Sequence, residues 1–161
     1  MEKTISILMK ARERISNPYD WNAREAIRIA TGKSEFATTN KQADKAILVK
    51  ARGKIAKPEN WCKSVAARNK DYGVCSISDP NACKWCATGA MASVMPRGFI
   101  RNFEHRYAYM KAGNLLDSFS MENSVMFYND RKRTTHADIL AVFDRAIEAA
   151  EQQEEQEQND G

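Results

Sequence analysis

The sequence predicts an all-α fold, a single compact domain of six or seven helices over residues 1–150. Three observations carry that prediction. A stretch of 22 residues occurs twice with its apolar residues at helical spacing, prolines and capping residues fall where those helices should end or begin, and no stretch alternates apolar and polar residues well enough to argue for a strand. Seven Gly against seven Met in 161 residues also suits closely packed helices.

The repeat pairs residues 7–28 with 47–68, with ten identities in 22 positions, including a Lys-Ala-Arg triplet, a proline and a tryptophan. In the first copy Ile7, Leu8, Ala11 and Ile15 lie on one face of a helix, and Ile47, Leu48, Ala51 and Ile55 repeat the pattern in the second. Pro18 and Pro58 disfavour helical backbone at Asn17 and Lys57, so each helix should end there. Asp20 and Asn60 are good N-caps, each followed by a tryptophan at the start of a second expected helix. Each copy, about 4–31 and 40–70, therefore reads as a helix–proline turn–helix hairpin in which Trp21 or Trp61 wedges between the two helices.

The later elements follow from similar signals. Thr39 and Gln42 form a capping box before the helix of the second copy. Asp79 with Pro80 predicts a helix start, so a helix should run from there to about Val94 and stop before Pro96. Phe99, Ile100, Phe103, Tyr107 and Met110 continue at helical spacing to a close at Gly113. "SVMFYN" at 124–129 is the one candidate for a short strand. Thr135 and Asp138 form a second capping pair, and Ile139, Leu140, Phe143 and Ile147 give the last helix a clean apolar stripe. From residue 151 the acidic "EQQEEQEQNDG" has nothing apolar to bury and is expected to be a disordered tail.

Charge narrows the possible partners. Six of the 21 Asp and Glu lie between Glu148 and Gly161, leaving 15 against all 25 Lys and Arg in the first 147 residues. A basic body can bind polyanions, and the matched residues Lys10, Arg12, Arg14 and Lys50, Arg52, Lys54 are the candidate contacts. The turn, however, carries a proline and a large aromatic where a DNA-binding helix-turn-helix has a small residue. Nucleic-acid binding is therefore the second reading. The apolar runs are far shorter than the roughly 20 residues of a membrane span, and "MEKTISILMKARER" lacks a signal-peptide core. A cytoplasmic protein without a membrane role is expected.

The chemistry-bearing residues are few. Cys62, Cys75, Cys83 and Cys86 include a Cys-x-x-Cys pair, half of a zinc site, but Cys62 and Cys75 are a poor second half. Buried reduced thiols are the leading reading, structural zinc on these four residues the alternative, and no cofactor is expected. Cys86, His136 and Asn129 or Asp130 are the residue types of a cysteine hydrolase. Cys86 is expected more than a turn inside its helix, away from the N-terminus a catalytic thiolate favours, so catalysis ranks third.

"WCATGA" at 85–90, "YNDRKRTTHADILAVFDRAIEAA" at 128–150 and the preceding proline–tryptophan hairpin resemble a domain-of-unknown-function family met in bacteriophages and bacterial chromosomes. The resemblance covers roughly residues 45–150, with Tyr128 where the family pattern has tryptophan and an additional hairpin in front. It implies a small helical cytoplasmic protein, phage-encoded in some members, and no activity. Trp21, Trp61, Trp85, Cys86, Gly89, Asn129, Asp130, His136, Asp144 and Arg145 are read as structural. Gly89 and Ala90 suit close helix–helix approach, Asn129 and Asp130 suit a turn, and Asp144 and Arg145 can pair with neighbouring helices. The expected function is non-enzymatic binding, most plausibly to a host protein.

Overall fold

A computed structural model of the chain describes residues 43–159. The chain divides into two units, Met1–Lys41 and Gln42–Gly161. The first hairpin copy with Lys10, Arg12, Arg14 and Trp21, and the Thr39–Gln42 capping box, lie outside the described residues.

The described unit is mostly helical. In chain order it holds α1 (Ala43–Lys54), β1 (Ala67–Asn69), β2 (Ala82–Trp85), α2 (Ala87–Ser93), α3 (Phe103–Phe119), α4 (Val125–Asp130) and α5 (His136–Asn159), with single 3-10 turns at Pro58–Asn60 and Phe99–Arg101. The long helices α1, α3 and α5 pack pairwise on one another, and α2 fills the space beside α1, α3 and α4. Burial of the expected stripes explains α1 and α5: Ile47, Leu48 and Ala51 of α1, with Ile55 just after it, and Ile139 and Phe143 of α5 enter the core. The stripe expected for α3 does not, since Ile100, Tyr107 and Met110 are exposed, and α3 meets the core instead through Ala108, Ala112 and Leu116. Each large apolar side chain taken out of water contributes about 1.5–3 kcal/mol. Asp44, 3% exposed, is tolerated in this core because Lys111 Nζ on α3 lies 3.1 Å from its carboxylate.

The strands correct the all-α expectation. β1 and β2 form a two-stranded antiparallel sheet in which Ala67 faces Trp85 and Arg68 faces Lys84. Trp61 does not open a second helix. Its backbone is extended, and it forms a parallel bridge with Trp85 in which the Cys62 amide donates to the Trp85 carbonyl at 3.1 Å. Pairing with a distant strand overrides local helix propensity here. Consequently Trp61 is not a wedge between two helices of its own hairpin.

Other boundaries move for local reasons. The Asp79 carboxylate accepts from the Asn81 amide at 2.7 Å, an Asx turn, so the chain turns into β2 and α2 begins only at Ala87. Asn102 caps α3 by accepting from the His105 amide at 3.0 Å. Gly113 does not end α3. A Cβ there would meet only the Met91 methyl, at 3.9 Å, and the helix runs to Phe119. The candidate strand 124–129 is instead the N-cap Ser124 and most of helix α4, whose first amide donates to the Asp117 carboxylate at 2.7 Å. The acidic segment from residue 151, expected to be disordered, continues α5 to Asn159, and Glu151 and Glu154 lie 3.1 and 3.6 Å from Lys45 of α1. Among the described residues no helix is long and apolar enough to cross a membrane.

Candidate functional site

The family-like motifs converge on one place. Four segments far apart in sequence meet there: the turn Trp61–Ser64, the β2–α2 junction, the end of α4, and the start of α5. Asn129, 1% exposed on the short helix α4, lies at the centre. Its Oδ1 accepts from the Trp61 indole Nε1 at 2.8 Å and from the Ala87 amide at 3.2 Å. Its Nδ2 donates to the Cys62 carbonyl at 3.2 Å and to Asp130 Oδ1 at 2.8 Å. The two groups meeting Oδ1 can only donate, which fixes the amide orientation and fills all four hydrogen-bonding positions of the side chain.

Around this hub the turn is clamped. Asp130 Oδ1 also accepts from the Ser64 amide at 2.7 Å, holding a residue whose φ of 67° lies in the left-handed region. Lys63 Nζ donates to the carbonyls of Arg131 and Thr134, both at 2.6 Å, and lies 5.2 Å from the Trp61 ring centre. His136 Nε2 donates to the Ile55 carbonyl at 2.7 Å, a contact that assigns the ring proton to that nitrogen, and its ring tilts against Trp61 at 5.8 Å.

The Thr135–Asp138 capping box forms as the sequence predicts. Thr135 donates from its amide and hydroxyl to the Asp138 carboxylate at 2.8 and 2.7 Å, and accepts from the Asp138 amide at 3.2 Å. Those bonds hold the Asp138 carboxyl below its ordinary range.

Cys86 corrects its expected position. It is the N-cap of α2, its sulfur accepting from the Gly89 amide at 3.3 Å and lying 3.3 Å from the Thr88 hydroxyl. That placement removes the objection that Cys86 sits inside a helix, yet the thiol is 7% exposed and the other two residues of the supposed triad are engaged elsewhere. The Asn129 amide faces Trp61, Ala87, Cys62 and Asp130, and His136 Nε2 faces a carbonyl. A catalytic base must be in hydrogen-bond reach of its nucleophile, and these contacts hold His136 and Asn129 on other partners. Burial, with the Cys86 thiol second, pushes the neighbouring Cys62 thiol up to about 11, the opposite of activation. Cys62 and Cys86 are buried, while Cys75 and Cys83 are half-buried, and all four are free thiols. Among the described residues no group of three or more His, Cys, Asp or Glu is arranged to hold a metal ion.

Gly89 serves a close approach, but to backbone rather than to a helix. A Cβ there would fall 1.9 Å from the Ala66 carbonyl oxygen, whose other neighbour, the Cys86 amide, donates to it at 3.3 Å. Trp85 is 8% exposed, with Lys54 Nζ 4.4 Å from its ring centre. The α1 cations are thus largely engaged within the molecule. Lys54 covers Trp85, Arg52 forms a two-pronged pair with Asp144 of α5, whose second contact is 3.0 Å, and Lys50 remains exposed. Arg145 is exposed on the outer side of α5.

Several contributors carry no recognisable sequence signal. Lys63 and Ser64 act through a turn that is read as helix in the sequence. Asp117 caps α4 from eight residues away. The exposed side chains that most need explaining also escape a periodicity reading: Met121, Met126 and Phe127, at 77, 49 and 61% exposure around the α3–α4 corner.

Fold and site together define a small helical domain in which Trp61, Asn129, Asp130 and His136 close a polar knot among four chain segments. The chain matches a family of unknown function, DUF6197, over residues 39–149, and belongs to that family. No curated protein and no solved structure matches it.

Proposed function

We propose that this protein is a non-enzymatic binding protein that acts through a protein partner taken at the α3–α4 corner. The observation that carries the reading is the apolar surface there. Met121, Met126 and Phe127 expose most or about half of their area within seven residues of chain. Single exposed apolar side chains are ordinary, whereas a cluster of methionine and aromatic residues on a soluble domain marks an interaction surface. Such residues supply the large, adaptable contacts on which binding energy concentrates.

The motif knot supports this reading indirectly. Its side chains hold one another, so the work of recognition falls to the surface. Nucleic-acid binding through the α1 cations is the weaker reading, because Arg52 and Lys54 already have intramolecular partners.

The test substitutes Met126 and Phe127 with Lys in the full chain and compares complexes formed in the cells that produce it. Helical content and melting temperature should stay close to those of the native protein, and a saturable complex captured by the native chain should be lost. A complex that survives the double substitution, or that depends on Lys50 and on added nucleic acid, overturns the proposal.

A further inference from the structure

The segment between α2 and α3 borders a cavity of about 560 Å³, separate from both the motif knot and the α3–α4 corner. Ligand pockets fall at roughly 300–1,000 Å³. Its lining divides by character. Ile77, Ala92, Met95 and Phe99 are half-buried and apolar, whereas Arg97 and Arg101 are exposed and cationic.

The backbone fixes this arrangement. Gly98, between the two arginines, has φ of 73°, a left-handed conformation that a side chain resists. Successive turn bonds follow: the Phe99 amide to the Pro96 carbonyl at 3.1 Å, the Arg101 amide to Gly98 at 2.9 Å and the Asn102 amide to Phe99 at 3.1 Å. The Phe99 ring is held against Tyr109 of α3 at 4.9 Å between centroids. Both arginines are thereby carried on an ordered turn.

Several cations of the described residues are already engaged. Arg52 and Arg131 meet carboxylates, Lys63 meets two carbonyls and Lys54 meets an indole. The guanidinium groups of Arg97 and Arg101 have neither a hydrogen bond nor an ion pair among the described residues. Two guanidinium groups beside an apolar cavity match one kind of molecule. The apolar wall removes a hydrocarbon or aromatic body from water, and guanidinium groups bind an oxyanion through paired, charge-assisted hydrogen bonds.

We propose that this cavity binds a small amphipathic organic anion, with its apolar body against Ile77, Met95 and Phe99 and its oxyanion head between Arg97 and Arg101. The site is independent of the partner surface on α4, and binding here requires no change there.

The experiment titrates the full chain with 8-anilinonaphthalene-1-sulfonate and with its uncharged relative N-phenyl-1-naphthylamine, following fluorescence and heat. The sulfonate should bind at one saturable site and more weakly as salt rises. Arg97→Gln with Arg101→Gln should weaken the sulfonate by about tenfold or more, the scale of losing charge-assisted hydrogen bonds, while the uncharged probe changes less than about twofold on the same scale. Ser78→Trp, which places bulk at an exposed lining position, should block both probes without touching either charge. Unchanged far-ultraviolet spectra certify the fold of each variant. Sulfonate affinity unaffected by the arginine substitutions, binding of both probes that survives Ser78→Trp, or the lack of a saturable site would overturn the proposal.

Discussion

Replacing Asn129 with Ala is the most informative single perturbation of this molecule. The substitution removes a side chain 1% exposed and strips partners from the Trp61 indole, the Ala87 amide and the Cys62 carbonyl. A buried polar group left without its partner costs about 1–3 kcal/mol. Ala87 is fully buried and Cys62 nearly so, and both bear that cost in full, while water reaches the half-exposed Trp61 indole and reduces its share. The sum is about 3–6 kcal/mol, against a total stability of about 5–15 kcal/mol for a domain.

With a urea slope of about 1.5 kcal/mol per molar, the unfolding midpoint should fall by about 2–4 M. Asn129→Asp adds a signed check. The carboxylate can still accept from Trp61 and Ala87 but cannot donate, and it places a charge beside Asp130. Its folded pKa is therefore raised, so its penalty is full at neutral pH, is relieved as pH falls through that raised value, and is gone once pH is below the ordinary carboxylate range. Urea titrations followed by circular dichroism and tryptophan fluorescence read both variants. A midpoint shift below about 0.5 M for Asn129→Ala, with the slope unchanged, would refute the claim that Asn129 holds the four segments together.

Gly89→Ala should be severely destabilising for a change of one methyl group, because backbone oxygen of Ala66 occupies the space the Cβ needs; a melting temperature near that of the native protein would contradict the close approach. Iodoacetamide at pH 8 should label Cys75 and Cys83 well before Cys62, whose thiolate population at a pKa of about 11 is about one in a thousand, and peptide mass spectrometry gives the order. Asp138→Asn should lower the melting temperature at pH 7, with the gap to the native protein closing as pH falls below about 4. The folded pKa of Asp138 is depressed, so its contribution is present above the unfolded value and lost as pH drops through the folded one. A gap that persists at pH 2 would show that the capping carboxylate is not the source.

Legibility in the sequence followed the range of the interactions. The α1 stripe and the Thr135–Asp138 box were readable because their partners lie within a turn or two of chain, and both are present in the fold. The short sheet was not readable, since neither "ARN" nor "ACKW" alternates; those residues are strands because each supplies the other's backbone partners. The same cause turned the second half of the second repeat away from helix: Trp61 and Cys62 pair with Trp85, 24 residues on. Asn129 and Asp130 read locally as turn formers. Their decisive partners lie 68, 67, 66 and 42 positions away, at separations no local pattern encodes. Cys86 as an N-cap was hidden for another reason, because cysteine lies outside the residues that usually signal a helix start.

Hydrogen exchange of the Ala87 amide reports whether the motif residues form a closed structural knot. That amide is the first of α2 and has only the Asn129 side chain to accept its proton, so it should be among the easiest to lose if the knot opens by itself. If the knot is part of the global fold, the Ala87 amide will exchange no faster than the amides of Leu48 and Phe143 in the core, and with the same dependence on urea. Exchange of Ala87 orders of magnitude faster than that of Leu48 and Phe143, without dependence on urea, would show a locally opening cluster and contradict a closed knot.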